Sequence, residues 1–319
     1  MADGPMAIAS APASIGNVGV GFDVLGLAFD AARDRVTAVR EAVAGVRLGT
    51  VSGLAASLPA APDSNTALAA AQALLGATGA EFGVRLSIDK GVPLSAGMGG
   101  SAASAVAAAA AVNALLPAPL EIADLLPFAL AGERVSCDPP PWDNVVAALF
   151  GGLVLVAREE PGQVHRLPVP KDVVSLLFHP PVKTETSAAR KMLRAEVPLR
   201  TAVEHSRRLA AFVAGCATGD AELIRAGLED ILVEPQRAPL LPALAPVKAA
   251  ALGAGALGCS FSGSGPSVFA WAPAGGADAV AAAMAAAFRT AGLEAVCYRA
   301  PVESAGVRLE AALACERAA

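Results

Sequence analysis

Aromatic side chains are scarce in this chain, making up 4% of its 319 residues, with one tyrosine and two tryptophans. The 55% hydrophobic content is inflated by alanine and signals helix rather than membrane. Charge is missing from the thirty residues between Lys90 and Glu121, but Pro93, several glycines and Asn113 interrupt them and make a poor bilayer span. Residues 1–20 lack arginine, lysine and a continuous apolar core, so neither a secretory signal nor a transit peptide is visible, and a cytoplasmic protein is expected. The net charge of −5 and the want of a dense Lys/Arg patch argue against nucleic acid as the main partner. Cys137, Cys216, Cys259, Cys297 and Cys315 show no short paired spacing, and His165, His179 and His205 are scattered. A zinc site, a disulfide framework and a Ser-His-Asp hydrolase are all disfavoured. Gly-Lys-Ser/Thr occurs nowhere, which excludes a P-loop NTPase.

What the uncharged stretch does contain is a glycine run: Pro93, Leu94, Ser95, Ala96, Gly97, Met98, Gly99, Gly100, Ser101, Ala102, Ala103 and Ser104. A strand pattern at Val84–Ile88 precedes it and helix formers from Ala102 to Leu116 follow. The glycines thus sit where a loop enters a helix N-terminus. There, free N–H groups and the helix dipole attract an anion, and glycine lets backbone approach phosphate. The dinucleotide pattern is a rival, since Gly97, Gly99 and Ala102 satisfy its relaxed form. Its acidic ribose anchor should end a second strand about 20 residues on, whereas Glu121 and Asp124 follow prolines and begin a helix.

Along the chain, strands are expected at Met6–Ser10, Arg35–Arg40, Val84–Ile88 and Leu153–Val156. Helices are expected at Thr66–Leu75, Ala102–Leu116, Ile122–Glu133 and Asp143–Phe150, giving a mixed α+β unit. A turn-rich joint at Pro161-Gly162 leads through Val164–Pro170 into a second set: strands at Val173–Phe178, Cys259–Ser262, Ser267–Trp271 and Val296–Ala300, and helices at Glu185–Arg194, Thr201–Ala214, Ala221–Glu229, Pro246–Leu252 and Ala277–Ala291. The length suits two domains, placed at 1–165 and 166–319, the second a ferredoxin-like layer. Another glycine element, Ser262-Gly263-Ser264-Gly265-Pro266-Ser267, lies between two of the distal strands, where it reads as a turn or as a second loop closing over the same polyanion. A third spans Ala11 to Gly26, including Ser14, Asn17, Phe22 and Asp23, and suits a binding turn better than a core strand.

Together the three glycine elements resemble the GHMP kinases, and within that family the homoserine kinase branch. The resemblance covers the chain: Ser-x-x-Asn-x-Gly-x-Gly-Phe-Asp at Ser14–Asp23, the ATP loop at Pro93–Ser104, Trp142-Asp143-Asn144-Val145-Val146, the segment Glu234 to Leu240, and the distal loop. It departs from the family pattern at Gly100, the first of two adjacent loop serines, and at Pro141, which stands where the signature has a histidine and supplies no hydrogen-bond donor. The resemblance implies a two-domain GHMP kinase fold, with a ribosomal protein S5 domain 2-like N-terminal domain and a ferredoxin-like C-terminal domain. It implies MgATP as phosphoryl donor, L-homoserine as acceptor, and a homodimer. By the same resemblance, Ser101 and Glu133 hold Mg2+, Asn144 acts with them in catalysis, Asn65 reads adenine and Lys90 neighbours the nucleotide, with Gly263 and Gly265 completing the cradle. Asp23 and Asp143 receive the ammonium, Arg190 and Arg237 clamp the carboxylate, and Asn17 and Asn144 orient the acceptor. Plainer roles are open beside these: Glu133 as an exposed helix end, Asn65 as a helix cap, Lys90 as a solvated strand end, Asp23 as a turn former, Arg190 as a surface helix charge and Arg237 as a cap. A kinase for another small hydroxy acid and a non-catalytic nucleotide sensor are the alternatives.

Overall fold

The computed structural model describes residues 4–160, 162–184 and 186–313; Pro161 of the expected joint, Glu185 at the expected start of a helix, and Cys315 lie outside them. In chain order the first part runs β1 (Met6–Gly16), β2 (Leu25–Glu41), β3 (Gly45–Gly53), α1 (Thr66–Thr78), β4 (Gly83–Lys90), α2 (Gly100–Asn113), α3 (Leu126–Glu133), α4 (Trp142–Phe150), β5 (Leu153–Arg158) and β6 (Gln163–Leu167). The rest runs β7 (Val173–His179), α5 (Thr186–Lys191), α6 (Leu199–Thr218), α7 (Ala221–Gly227), α8 (Glu234–Arg237), α9 (Leu244–Gly253), β8 (Gly258–Phe261), β9 (Val268–Pro273), α10 (Ala277–Thr290), β10 (Val296–Pro301) and β11 (Arg308–Leu313).

One sheet has the order β11-β1-β2-β4-β3, with β5 on β2 and β6 on β5; only β3 and β4 pair parallel. The other is antiparallel in the order β10-β7-β9-β8. With its crossover helices this is the split βαββαβ arrangement, so the α+β, ferredoxin-like expectation for the distal half is met. The two units are not contiguous in sequence. Strand β6 straddles the expected 165/166 division, and β11 returns from the far end of the chain to pair with β1.

Several elements depart from the sequence expectation for identifiable reasons. Strand β1 continues to Gly16, so Ala11–Gly16 is core strand and only the residues after it form the turn; alanine, serine and glycine there let α2 and α4 pack closely. The Ile122–Glu133 helix splits into a 3-10 turn at Ile122–Leu125 and α3, because Pro127 near the α3 N-terminus cannot donate into a preceding turn. Helix α2 ends at Asn113, whose side-chain amide exchanges two hydrogen bonds with the Leu120 backbone. Strands β3, β6 and β11 were not anticipated; they lie largely exposed, without the alternation that one buried face imposes.

Helix α2 is the centre of the first unit. Every residue from Ala102 to Asn113 is buried, with α1 and α3 on one side and β1 and β2 on the other, and the predominance of alanine allows close contact all round. Strand β7 then divides two cores: Leu177 joins Phe269 and Trp271 in the cluster continuous with the first unit, whereas Leu176 and Phe178 face α9 and α10. Because the first cluster spans both sheets, the units are welded by apolar packing. Among the described residues no helix is long and apolar enough to cross a membrane.

Within this helical layer a close approach falls at Gly132 on α3, where a Cβ would lie 2.5 Å from the Thr66 carbonyl and 2.8 Å from Ala70 Cβ. Gly132→Ala gains about 1 kcal/mol of helix propensity, against an overpacking cost of about 1–3 kcal/mol. The expected outcome is a lower urea midpoint with an unchanged m-value; an unchanged or higher midpoint contradicts this account of the helical layer.

Candidate active site

The β1–β2 turn is held in unfavourable backbone conformations. Asn17, Val18 and Asp23 have φ of 67°, 44° and 57°, in the left-handed region that a β-branched valine rarely enters. Such residues cost about 1–3 kcal/mol each and persist where their surroundings over-determine them. Here Gly21 N–H donates to the Asn17 carbonyl at 2.8 Å, Asp23 N–H donates to Asn17 Oδ1 at 3.1 Å, and Asn17 N–H donates to Asp143 Oδ2 at 2.9 Å.

The Pro93–Ser104 loop packs beside this turn. Ser14 N–H donates to the Met98 carbonyl at 2.9 Å, and Ser262 Oγ donates to the Gly97 carbonyl at 2.6 Å. Gly97 and Gly99 have φ of +70° and +64°; a Cβ on Gly97 would lie 2.5 Å from the Gly265 carbonyl, and one on Gly99 would overlap Ser14 Oγ. These positions require glycine by conformation and by space. Beneath the loop, Lys90 Nζ pairs with Asp34 Oδ2 and donates to the Gly100 carbonyl and Ser104 Oγ, both at 3.0 Å. Its three hydrogens are thus engaged, and at 2% exposure it is not a solvated strand end. Helix α2 begins at Gly100 with its N-terminus on the cavity, where its unpaired first-turn N–H groups make an anion site.

Beside that N-terminus, Ser101 Oγ donates to Glu133 Oε1 at 2.8 Å and Ser136 Oγ to the same oxygen at 2.9 Å, while buried Oε2 has no partner. Glu133 is 3% exposed, so it is no exposed helix end. Burial pushes its carboxyl up to about 7 against the opposing pull of the two serines. Asp143, on α4, is raised to about 6, first by burial and then by the Asp23 charge. Its oxygens accept from the N–H groups of Asn17 and Asn144, and Asn144 Oδ1 accepts from Ser14 Oγ at 2.8 Å. Opposite stand two arginines. Arg190 on α5 pairs with Asp23 at 3.0 Å, and Arg237 on α8, 2% exposed, donates to the Gly263 carbonyl at 3.1 Å. All these residues except Ser14 line one cavity of about 550 Å³.

The profile of the GHMP kinases N terminal domain matches residues 65–152 and that of the C-terminal domain residues 210–290. The homoserine kinase of Xanthomonas campestris pv. campestris is 46% identical over 302 residues, 94% of this chain and 93% of that protein. The chain belongs to the GHMP kinase family. The crystal structure of homoserine kinase from Cytophaga hutchinsonii, 38% identical, superposes with a TM-score of 0.91 over 95% of this chain and 97% of that one. L. major mevalonate kinase shares the fold at 16% identity, with a TM-score of 0.66 over 95% of this chain and 97% of its own. As a GHMP kinase, this is an ATP-dependent small-molecule kinase.

In this GHMP kinase, all but three of the residues given a catalytic or binding role from sequence line the one cavity. Ala102 and Ala103 are turned into the core, and Gly265 lies behind the Gly97 loop against Phe261. The distal loop therefore buttresses the first loop, and only its Gly263 and Ser264 reach the cavity. Asn65 lines it as well, but its side chain caps α1, accepting from Ala67 and Leu68 N–H and donating to the Pro59 carbonyl. Arg190 is paired, and Arg237 is buried rather than a cap. Asp34 and Ser136 give no signal in the sequence, since each acts through a neighbour brought near by folding; Phe22 stands in the N-terminal motif with no role attached.

The raised Glu133 carboxyl has a stability consequence. The unfolded group releases its proton near 4.5 and the folded one near 7, so between these values the folded state holds the extra proton and this group's contribution falls as pH rises. Asp143 acts with the same sign between 3.8 and about 6. Glu133→Gln is expected to gain stability relative to the parent between pH 5 and pH 7.5, measured by urea denaturation at both; a pH-independent difference would show that the carboxyl is not raised.

Proposed function

We propose that this GHMP kinase is an ATP:L-homoserine O-phosphotransferase, producing O-phospho-L-homoserine for threonine biosynthesis in the cytoplasm. The observation that carries the reading is the juxtaposition of an anionic pair, Asp23 and Asp143, with a cationic pair, Arg190 and Arg237, in the cavity that holds the α2 N-terminus. A zwitterionic amino acid with a terminal hydroxyl satisfies both pairs at once. A hydroxy acid without an ammonium gives the buried Asp143 carboxylate, which already faces the charge of Asp23, no cation to meet, and sites built for a polar group reject substrates lacking it strongly. The names of the similar enzymes from Xanthomonas and Cytophaga point the same way.

On this reading the Gly97–Ser104 backbone receives the ATP phosphates. Ser101 and Glu133 fit Mg2+: one hydroxyl and one carboxylate oxygen without a partner are adjacent, and the ion favours oxygen ligands with several waters retained. When bound it would neutralise charge on the transferring phosphoryl group. The Ser101 hydroxyl keeps a lone pair free while donating to Glu133. Asp23 and Asp143 hold the ammonium, the arginines hold the carboxylate through charge-assisted bonds, and Asn17 and Asn144 orient the hydroxyl end. Transfer is direct, and positioning with charge neutralisation carries catalysis without a strong side-chain base. A second reading, a kinase for another hydroxy acid, is favoured by Pro141, which lines the cavity where the family signature has an imidazole.

An ADP-release assay with homoserine, shikimate, pantoate and mevalonate separates the two: acceptor-dependent release with homoserine alone is expected, and release with another acceptor alone overturns the assignment. ADP release from no acceptor, with ATP still bound, would favour the sensor. Glu133→Ala is expected to lower kcat by at least about 100-fold with little change in the homoserine KM; an unchanged kcat removes the metal role. Arg237→Ala should raise the homoserine KM by about 10- to 100-fold, the range of a lost charged hydrogen bond. A normal KM would take Arg237 out of the carboxylate site.

A further inference from the structure

Phe22 occupies a place in the cavity that neither the phosphate loop nor the ionic groups explain. Its ring centroid lies 5.7 Å from Cζ of Arg190 and 5.3 Å from Cζ of Arg237, both within the roughly 6 Å reach of a cation–π interaction. The two arginines come from separate helices, α5 and α8, and each makes a single kind of polar contact within the described residues: Arg190 with Asp23, Arg237 with the Gly263 carbonyl. Nε of each has no hydrogen-bond partner. Burial draws the Arg237 guanidinium below its ordinary value against the pull of the Asp23 charge, and the Arg190 charge acts in the same direction as burial. Asp23 offsets part of the repulsion between these two like charges, and the ring adds an attraction shared by both.

We propose that Phe22 is a positioning residue that sets Arg190 and Arg237 as one fork for the carboxylate of the acceptor. The inference rests on the carboxylate role of the two arginines given above. Asp23 already meets one nitrogen of Arg190, and a second carboxylate in place of the ring would occupy more of the donors that the substrate needs. The face of an aromatic ring attracts both cations and consumes none of their N–H donors, which stay available to the ligand. The strained turn gives the ring a fixed seat. Gly21 N–H bonds back to Asn17, and Val24 and Leu25 N–H donate to the Gly21 carbonyl at 2.9 and 2.8 Å, so the ring is carried on a closed loop. Asp23, the next residue, pairs with Arg190, so adjacent side chains address the same guanidinium in two ways.

The test compares Phe22→Leu, Phe22→Met and Phe22→Tyr in steady-state assays with L-homoserine and ATP, with Arg237→Ala run in parallel. Leucine and methionine keep apolar bulk without the π face; tyrosine keeps the face. Phe22→Leu and Phe22→Met are expected to raise the homoserine KM about 5- to 30-fold, in line with two weakened cation–π contacts. The ATP KM and kcat should stay within about two-fold, and Phe22→Tyr should retain a near-parent homoserine KM. If Arg237→Ala raises that KM while leucine and methionine leave it within two-fold, or if tyrosine impairs it as much as they do, the ring does not position the fork and only this inference falls. A parallel rise in the ATP KM would likewise overturn it, marking general disruption of the turn. If Arg237→Ala has no effect on the homoserine KM, the carboxylate reading itself fails.

Discussion

The Asp34 carboxylate accepts four hydrogen bonds, from the backbone of Gly91 and Val92, the Ser104 hydroxyl and the Lys90 ammonium. These ties join the middle of β2, the end of β4, the residues leading into the glycine loop and the second turn of α2 at one fully buried point. Removing one partner of such a pair costs about 3–5 kcal/mol, because the other charge is left buried alone. The pair also sets the electrostatics of the loop. Asp34 by itself beneath the helix N-terminus would oppose an incoming phosphate; matched by Lys90 it does not, and the N–H groups and dipole of α2 remain to act on the anion.

From that anchor the cavity is assembled by approach distances that only small residues permit. Gly97 lies against the carbonyls of Gly265 and Ser262, and Gly99 lies against Ser14, so the phosphate loop takes its shape from strand β1 and from the distal loop together. The apolar core that runs from β1 and β2 through Leu177, Phe269 and Trp271 keeps both in place. The acceptor end needs the same union. Asp143 reaches Asn17 from α4, Asp23 meets Arg190 from α5, and Arg237 reaches Gly263 from α8.

The charged groups are balanced against burial. Glu133 and Asp143 are held in surroundings that favour their protonated forms, so the fold retains them at a cost to stability near neutral pH. That cost is relieved by whatever cation meets the carboxylates, which couples stability to ligand binding. At the arginines the Phe22 ring lies within cation–π reach of both guanidinium groups, beside the Asp23 carboxylate that pairs with Arg190.

Local chemistry along the chain was enough to identify the glycine loop before α2, the second glycine element, the polar residues of the turn and the α+β alternation, because a glycine-rich loop and a run of helix-forming residues leave their mark within a dozen neighbours. Ser101, Glu133, Asp143 and Arg237 were legible through the resemblance to the GHMP kinases, yet their states were not: burial of Glu133, the pairing of Arg190 with Asp23, and the cap made by Asn65 depend on elements distant in sequence. For the same reason Asp34 and Ser136 were silent, and β11, which pairs with a strand about three hundred residues earlier, carried no local signal. Residue type and spacing determine which groups are supplied; desolvation, close approach and partner choice arise only when folding brings separate segments within hydrogen-bond distance, and these set the charge and direction of each group.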